Sequence, residues 1–135
     1  MAWNVLIVDD SKILRGMVRR ILGLTGLDIG EVHEAGGGHE ALEVLGRAHI
    51  DVVLADINMP GMTGAELVER IRKSPISTRT HVVVISSDRN QATIDTMRNL
   101  GIDAYLTKPF RAEALRDVLN GVFSKGSGAG ASHAR

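Results

Sequence analysis

Two adjacent carboxylates, Asp9 and Asp10, close the apolar run Val5–Val8 in the stretch "NVLIVDDSK". At about 4 Å and an effective dielectric near 20, two such charges repel by roughly 4 kcal/mol, so either the pair splays into water or something positive sits between them. The same chain carries Asp56 at the end of "DVVLAD", Ser86 and Ser87 at the end of "HVVVISS", and Lys108 after "DAYLT". Oxygen donors with few dedicated protein ligands suit Mg²⁺, which prefers one or two carboxylates, its own waters and a phosphate. A carboxylate beside such an ion can attack phosphorus. The charge that develops on the phosphoryl oxygens would be met by the metal, the Lys108 ammonium and the Ser86 hydroxyl. The chemistry these residues point to is phosphoryl transfer onto Asp56.

That chemistry requires four distant segments to meet, and the apolar pattern says how. Short apolar runs (5–8, 29–35, 51–56, 81–86 and the run inside "DAYLTKPF") alternate with stretches of helical period (11–24, 40–48, 65–73, 90–100, 111–123). In the first helix Ile13, Leu14, Met17, Val18, Ile21 and Leu22 are expected on one inward face, and Lys12, Arg15, Arg19 and Arg20 on a solvated or partner-docking one. Five strand–helix units predict an α/β fold, a doubly wound parallel sheet with helices on both faces. In such sheets ligands bind beyond the carboxyl ends of the strands, where Asp9, Asp10, Asp56, Ser86 and Lys108 are all placed.

Composition limits the alternatives. Sixteen Lys and Arg balance sixteen Asp and Glu over 135 residues, so no net field draws the chain to nucleic acid or membrane. No Cys is present, which excludes disulfides and thiolate metal sites and suits a cytoplasmic protein. Aromatic residues are only 3%, which argues against a flavin carrier or a base-stacking surface. His33, His39, His49, His81 and His133 lack metal-ligand spacing. Gly36–Gly38 lacks the spacing of a phosphate-binding loop and is expected to be a flexible loop. Residues 1–123 are expected to form one domain. From Ser124 the chain turns small and polar, "SKGSGAGASHAR", and is expected to be a flexible tail or an appended remnant.

"LIVDDSK", "VVLADINMPGMTG", "VVVISS" and "AYLTKPF", in this order and spacing, resemble the CheY-like receiver domains of two-component response regulators. The resemblance covers nearly all of Asn4 to Phe123. It implies a flavodoxin-like sheet in the order 2-1-3-4-5. It implies Asp56 as phosphoacceptor for a histidine kinase or phosphotransfer domain, with Asp10 and Asp56 ligating Mg²⁺ (or Mn²⁺) directly. Asp9 would act through water, and Asn58 would add its backbone carbonyl. Lys108 and Ser86 would contact the phosphoryl group, Tyr105 would be the switch aromatic, and Asn58 and Asp88 would tune hydrolysis. Ser87 departs from the small apolar residue the family usually carries there, which bears on rates.

The implied protein is a phosphoacceptor, not an enzyme acting on other substrates. It would signal to a flagellar switch or other effector as a monomer or weak dimer, in chemotaxis or a phosphorelay. A receiver belonging to a larger regulator or hybrid kinase is the alternative. A haloacid-dehalogenase-like phosphatase is a remote one, since Asn58 stands where that chemistry needs a second acid.

Overall fold

The computed structural model describes residues 2–128, with side chains to residue 124. Strands and helices alternate as β1 (Trp3–Val8), α1 (Lys12–Gly23), β2 (Ile29–Ala35), α2 (Gly38–Arg47), β3 (Val52–Ala55), α3 (Gly64–Lys73), β4 (His81–Ser86), α4 (Gln91–Asn99), β5 (Ala104–Thr107) and α5 (Ala112–Gly128). The strands form one parallel sheet in the order β2-β1-β3-β4-β5. Both the class and the strand order are those expected.

Period-two alternation divides each central strand between two cores. Leu6, Val8, Val53, Ala55, Val82 and Val84 point to one face and pack with residues of α2, α3 and α4, including Val44, Leu67, Ile71 and Met97. Val5, Ile7, Val52, Leu54, Val83 and Ile85 point to the other, against Val18 and Leu22 of α1 and Leu115, Leu119 and Val122 of α5. Because β1, β3 and β4 are covered on both sides, they are continuous apolar runs. All five strand–helix reversals at the carboxyl ends therefore share one rim, and the parallel register carries Asp9, Asp56 and Ser86 onto it.

Four details differ from the expectations. Ile13 and Met17 are 78% and 53% exposed, not inward. At about 100° per residue they lie well round the helix from Val18, beyond what the sheet and α5 cover. Arg15, by contrast, is about 60° from Val18, and its guanidinium is only 16% exposed. Arg15 and Arg19 both pair with Glu34 of β2 and so do not belong to a purely solvated face. Gly38 opens α2 two residues early, packed so closely on Met62 that a Cβ there would lie 2.9 Å from its Cβ. Finally, α5 runs through Gly128, five residues past Phe123, where a tail was expected; residues 129–135 lie outside the described residues.

Candidate functional site

Asp9 follows the last residue of β1 and is 3% exposed. Its backbone N–H donates to the Ala35 carbonyl at 3.1 Å, continuing the ladder one step past the strand. Its Oδ1 accepts from the backbone N–H of Ser11 at 2.9 Å. Ser11 in turn caps α1, its hydroxyl accepting from the Leu14 N–H. Capping thus falls to Ser11 and leaves Asp10, which is exposed, for other work.

Asp56 follows β3 and is tied to β1 by its N–H donating to the Val8 carbonyl at 3.0 Å. Its Oδ1 accepts from the N–H of Asn58, a turn that starts the "NMPG" loop. Lys108 arrives from β5, its N–H donating to the Ser86 carbonyl at 2.8 Å, with a cis peptide bond to Pro109. The Lys108 Nζ stands 3.5 Å from Asp56 Oδ2 and 3.7 Å from Asp9 Oδ2. One ammonium is therefore shared by carboxylates from two strands. Burial pushes the Asp9 carboxyl above its ordinary range; the Ser11 amide works against this, Asp56 adds to it, and Lys108 opposes it.

Ser86 is fully buried, and its hydroxyl accepts from the Asp88 N–H at 3.0 Å. The Tyr105 hydroxyl donates to the Asp88 carbonyl at 2.6 Å. The β4–α4 loop is thus held at one residue by both Ser86 and Tyr105. Asp88 Oδ1 accepts from the N–H of Asn90, the residue that caps α4. Ser87 and Asn58 are exposed at the rim. A groove of about 830 Å³ lies elsewhere, among Trp3, Arg47, His49 and Arg79 at the amino ends of the strands; none of the carboxylates above reaches it.

The carboxylates outnumber the nearby cation, and a hard divalent ion would balance them. No group of three or more His, Cys, Asp or Glu among the described residues stands ready to hold an ion alone. Mg²⁺ does not need one, because it is usually bound through one or two carboxylates and keeps several waters. The residues fit that ion: Asp56 and the buried Asp9 face a common cation, and exposed Asp10 is adjacent.

Arg15 joins this site, although its charge predicts the outer face of α1. Its Nη1 donates to the Asp9 carbonyl at 2.6 Å and its Nε to Glu34 at 2.9 Å. The helical angle relative to Val18 was the available signal.

Comparison with known proteins agrees with this geometry. A family model described as the response regulator receiver domain matches residues 5–120. A chemotaxis protein CheY homolog of Campylobacter jejuni is 33% identical over 130 residues, covering 96% of this chain and 98% of that protein. The autoinducer 1 sensor kinase/phosphatase LuxN of Vibrio harveyi is 33% identical over 131 residues, 97% of this chain but only 15% of its own length. Among solved structures, the chemotaxis response regulator CheY4 of Vibrio cholerae superposes with a TM-score of 0.80 at 34% identity, covering 90% of this chain and 99% of that one.

Proposed function

This chain belongs to the response regulator receiver domain family, and we propose that it signals by carrying a phosphoryl group on Asp56. The observation that supports this best is Lys108, whose Nζ lies 3.5 Å from Asp56 and 3.7 Å from Asp9. An Asp56 oxygen would attack the phosphorus of a phosphohistidine, or of a small acyl phosphate. The O–P bond forms as the P–N or P–O bond to the donor breaks, and the donor leaves with its electron pair. Lys108 is positioned to follow the phosphoryl charge as it moves onto Asp56.

Asp10, Asp56 and the Asn58 carbonyl would hold Mg²⁺ directly, Asp9 through water, and Mn²⁺ has the same ligand preferences. The ion, when bound, supplies charge stabilisation to the phosphoryl oxygens.

Switching follows from the loop that Ser86 and Tyr105 hold in common. A phosphoryl oxygen that takes the Ser86 hydroxyl as donor turns it away from the Asp88 N–H. The loop then relaxes, and with it the Asp88 carbonyl that Tyr105 binds. Two side chains are thereby coupled through one residue, a bistable element of the kind such switches use. Asn58, Ser87 and Asp88, on the rim around Asp56, would set how readily water reaches the acyl phosphate.

The donor partner would be a histidine kinase or phosphotransfer domain, and the output partner an effector. The CheY likeness favours chemotaxis in the cytoplasm; the LuxN match favours a receiver carried within a larger kinase as the second reading. No helix among the described residues is long and apolar enough to cross a membrane.

Incubation with Mg²⁺ and acetyl phosphate, followed by intact-mass analysis, should add the mass of one phosphoryl group. Asp56→Asn should add none. An unmodified wild type, or the same adduct on the variant, would remove the assignment.

A further inference from the structure

We propose that Arg15 is a positioning residue for the acidic pair, a strut from Glu34 to the main chain of Asp9 that presets the β1–α1 turn for a divalent cation. The inference rests on the receiver chemistry assigned to Asp56 above.

Asp9 is almost wholly buried, and a buried carbonyl without a donor is rare and costly. Its N–H still reaches Ala35, but no backbone N–H among the described residues donates to its carbonyl. Arg15 supplies the donor, Nη1 at 2.6 Å. The same guanidinium sends Nε to Glu34 Oε1 at 2.9 Å. Glu34 is itself fixed, because Arg19 Nε donates to its second oxygen at 2.9 Å and Arg19 Nη2 donates to the Val32 carbonyl at 3.0 Å. Burial raises the Glu34 carboxyl, but the hydrogen bonds and charges of Arg15 and Arg19 more than reverse this and keep it ionised. The strut is anchored at both ends.

The planar guanidinium fixes two donor directions at once, Nε toward Glu34 and Nη1 toward the Asp9 carbonyl, whereas the donors of an ammonium rotate on a flexible stem and hold such a bridge less firmly. Arg15 also takes the main-chain oxygen of Asp9, not its carboxylate. Asp9 Oδ1 stays with the Ser11 amide and Oδ2 stays facing Lys108, so a positive charge sits near the pair without occupying its ligand atoms. With the Asp9 N–H on Ala35 and its carbonyl on Arg15, the backbone leading into Asp10 is fixed before any ion arrives. A preset site spends less of the binding energy on ordering, and groups that orient ligands are typically worth ten- to a hundredfold in metal affinity.

The test is a calorimetric titration of Mg²⁺ into the unphosphorylated full chain, beside Mg²⁺-dependent phosphorylation by acetyl phosphate. Arg15→Met should raise the Mg²⁺ dissociation constant about tenfold. The Mg²⁺ needed for half-maximal phosphorylation should rise by the same factor, with the rate at saturating Mg²⁺ close to wild type. Glu34→Gln should shift both in the same direction by less, and Arg15→Lys should recover part of the loss. Arg19→Met, which loosens Glu34 but loses no bond to Asp9, should raise the Mg²⁺ constant by clearly less than Arg15→Met. An unchanged constant in Arg15→Met, or equal weakening in Arg19→Met, overturns the proposal. Where Arg15→Met fails to fold, by circular dichroism, Glu34→Gln decides it, and an unchanged constant there overturns it too. A wild type that neither binds Mg²⁺ nor gains phosphoryl mass overturns the receiver chemistry itself, a result distinct from a defect confined to the Arg15 series.

Discussion

Lys108 is one ammonium facing Asp56 and Asp9, two carboxylates delivered by different strands. Its side chain is 24% exposed, whereas Asp9's is 5% and Asp56's 13%, so the pairing falls between a surface ion pair and a buried one. Removing it leaves two acids against each other in a partly buried rim. Lys108→Met is therefore expected to destabilise the metal-free domain by about 1–2 kcal/mol. Added Mg²⁺ should restore more stability to the variant than it adds to the wild type. Urea unfolding in chelator and in Mg²⁺ measures both quantities; equal Mg²⁺ increments in the two proteins would mean that Lys108 and the ion do not share one electrostatic role. Tyr105 works differently, since its hydroxyl reaches the Asp88 carbonyl and no carboxylate. Its part in the proposed switch is mechanical.

At the level of elements, the β3–α3 connection carries the tightest constraint on Asp56. Thr63 caps α3 in a reciprocal capping box with Glu66, which fixes where the helix begins. Gly64, the first helical residue, donates its N–H to the Ile57 carbonyl at 3.1 Å. A Cβ at 64 would collide with the Ile57 Cα and lie 2.9 Å from the Ile57 Cβ. The near backbone leaves no flexible side-chain end to give way. Gly64→Ala is expected to cost about 1–3 kcal/mol in urea unfolding and to slow phosphorylation, because Ile57 is the residue after Asp56. A variant of wild-type stability and rate would show that this loop yields more easily than the contact suggests. Met59 and Met62, both buried, pack the same loop onto the α2–α3 side of the sheet, so the acceptor is held from below by core packing as well as by backbone.

Across the whole molecule, the end of the sheet opposite the acidic rim is tied by a second charged cluster. Arg72 of α3 donates to the Gly101 and Thr78 carbonyls and to Asp103. Asp103 also accepts from the Val82 N–H at 2.7 Å and faces His81 Nδ1 at 3.3 Å. Burial pushes the Asp103 carboxyl up. The hydrogen bonds from His81 and Val82, with the charges of His81 and Arg72, more than offset it and hold the group below its ordinary value. A carboxyl depressed in the folded state contributes stability that is complete above its unfolded value and is lost as pH falls through the folded one. The stability advantage of wild type over Asp103→Asn should accordingly be full at neutral pH and shrink between about pH 5 and pH 2. Glu34, depressed by Arg15 and Arg19, adds acid lability of the same sign, but it is common to both proteins and cancels in the difference. An advantage that stays constant over this range would show that Asp103 contributes through packing alone. This cluster binds the starts of β4 and β5 to α3, while the carboxyl ends of those strands carry Ser86 and Lys108.

The sequence by itself determined the class of fold, the strand order through its likeness to a known family, and the residues that line the rim. Each of these rests on short-range regularities: apolar runs too continuous for a half-exposed sheet, helical periods between them, and polar residues set where the runs stop. A parallel, right-handed winding then leaves only one rim for Asp9, Asp56, Ser86 and Lys108 to share. Only the tertiary structure decided which parts of the helices face inward. Six apolar residues of α1 made an arc wider than the sheet could cover, so Ile13 and Met17 went to solvent while Arg15, on the other flank, turned in to Glu34 and Asp9. The persistence of α5 past Phe123 into a glycine-rich stretch is likewise a tertiary matter. Local propensity falls there, but helices in proteins draw most of their stability from packing, and Val122 and Phe123 are buried, Phe123 stacked on Trp3 with ring centroids 4.0 Å apart. Periodicity reports which residues can be buried together, and the partner surface determines which of them are. That is why the acidic pair was legible in nine residues, and the arginine that holds it was not.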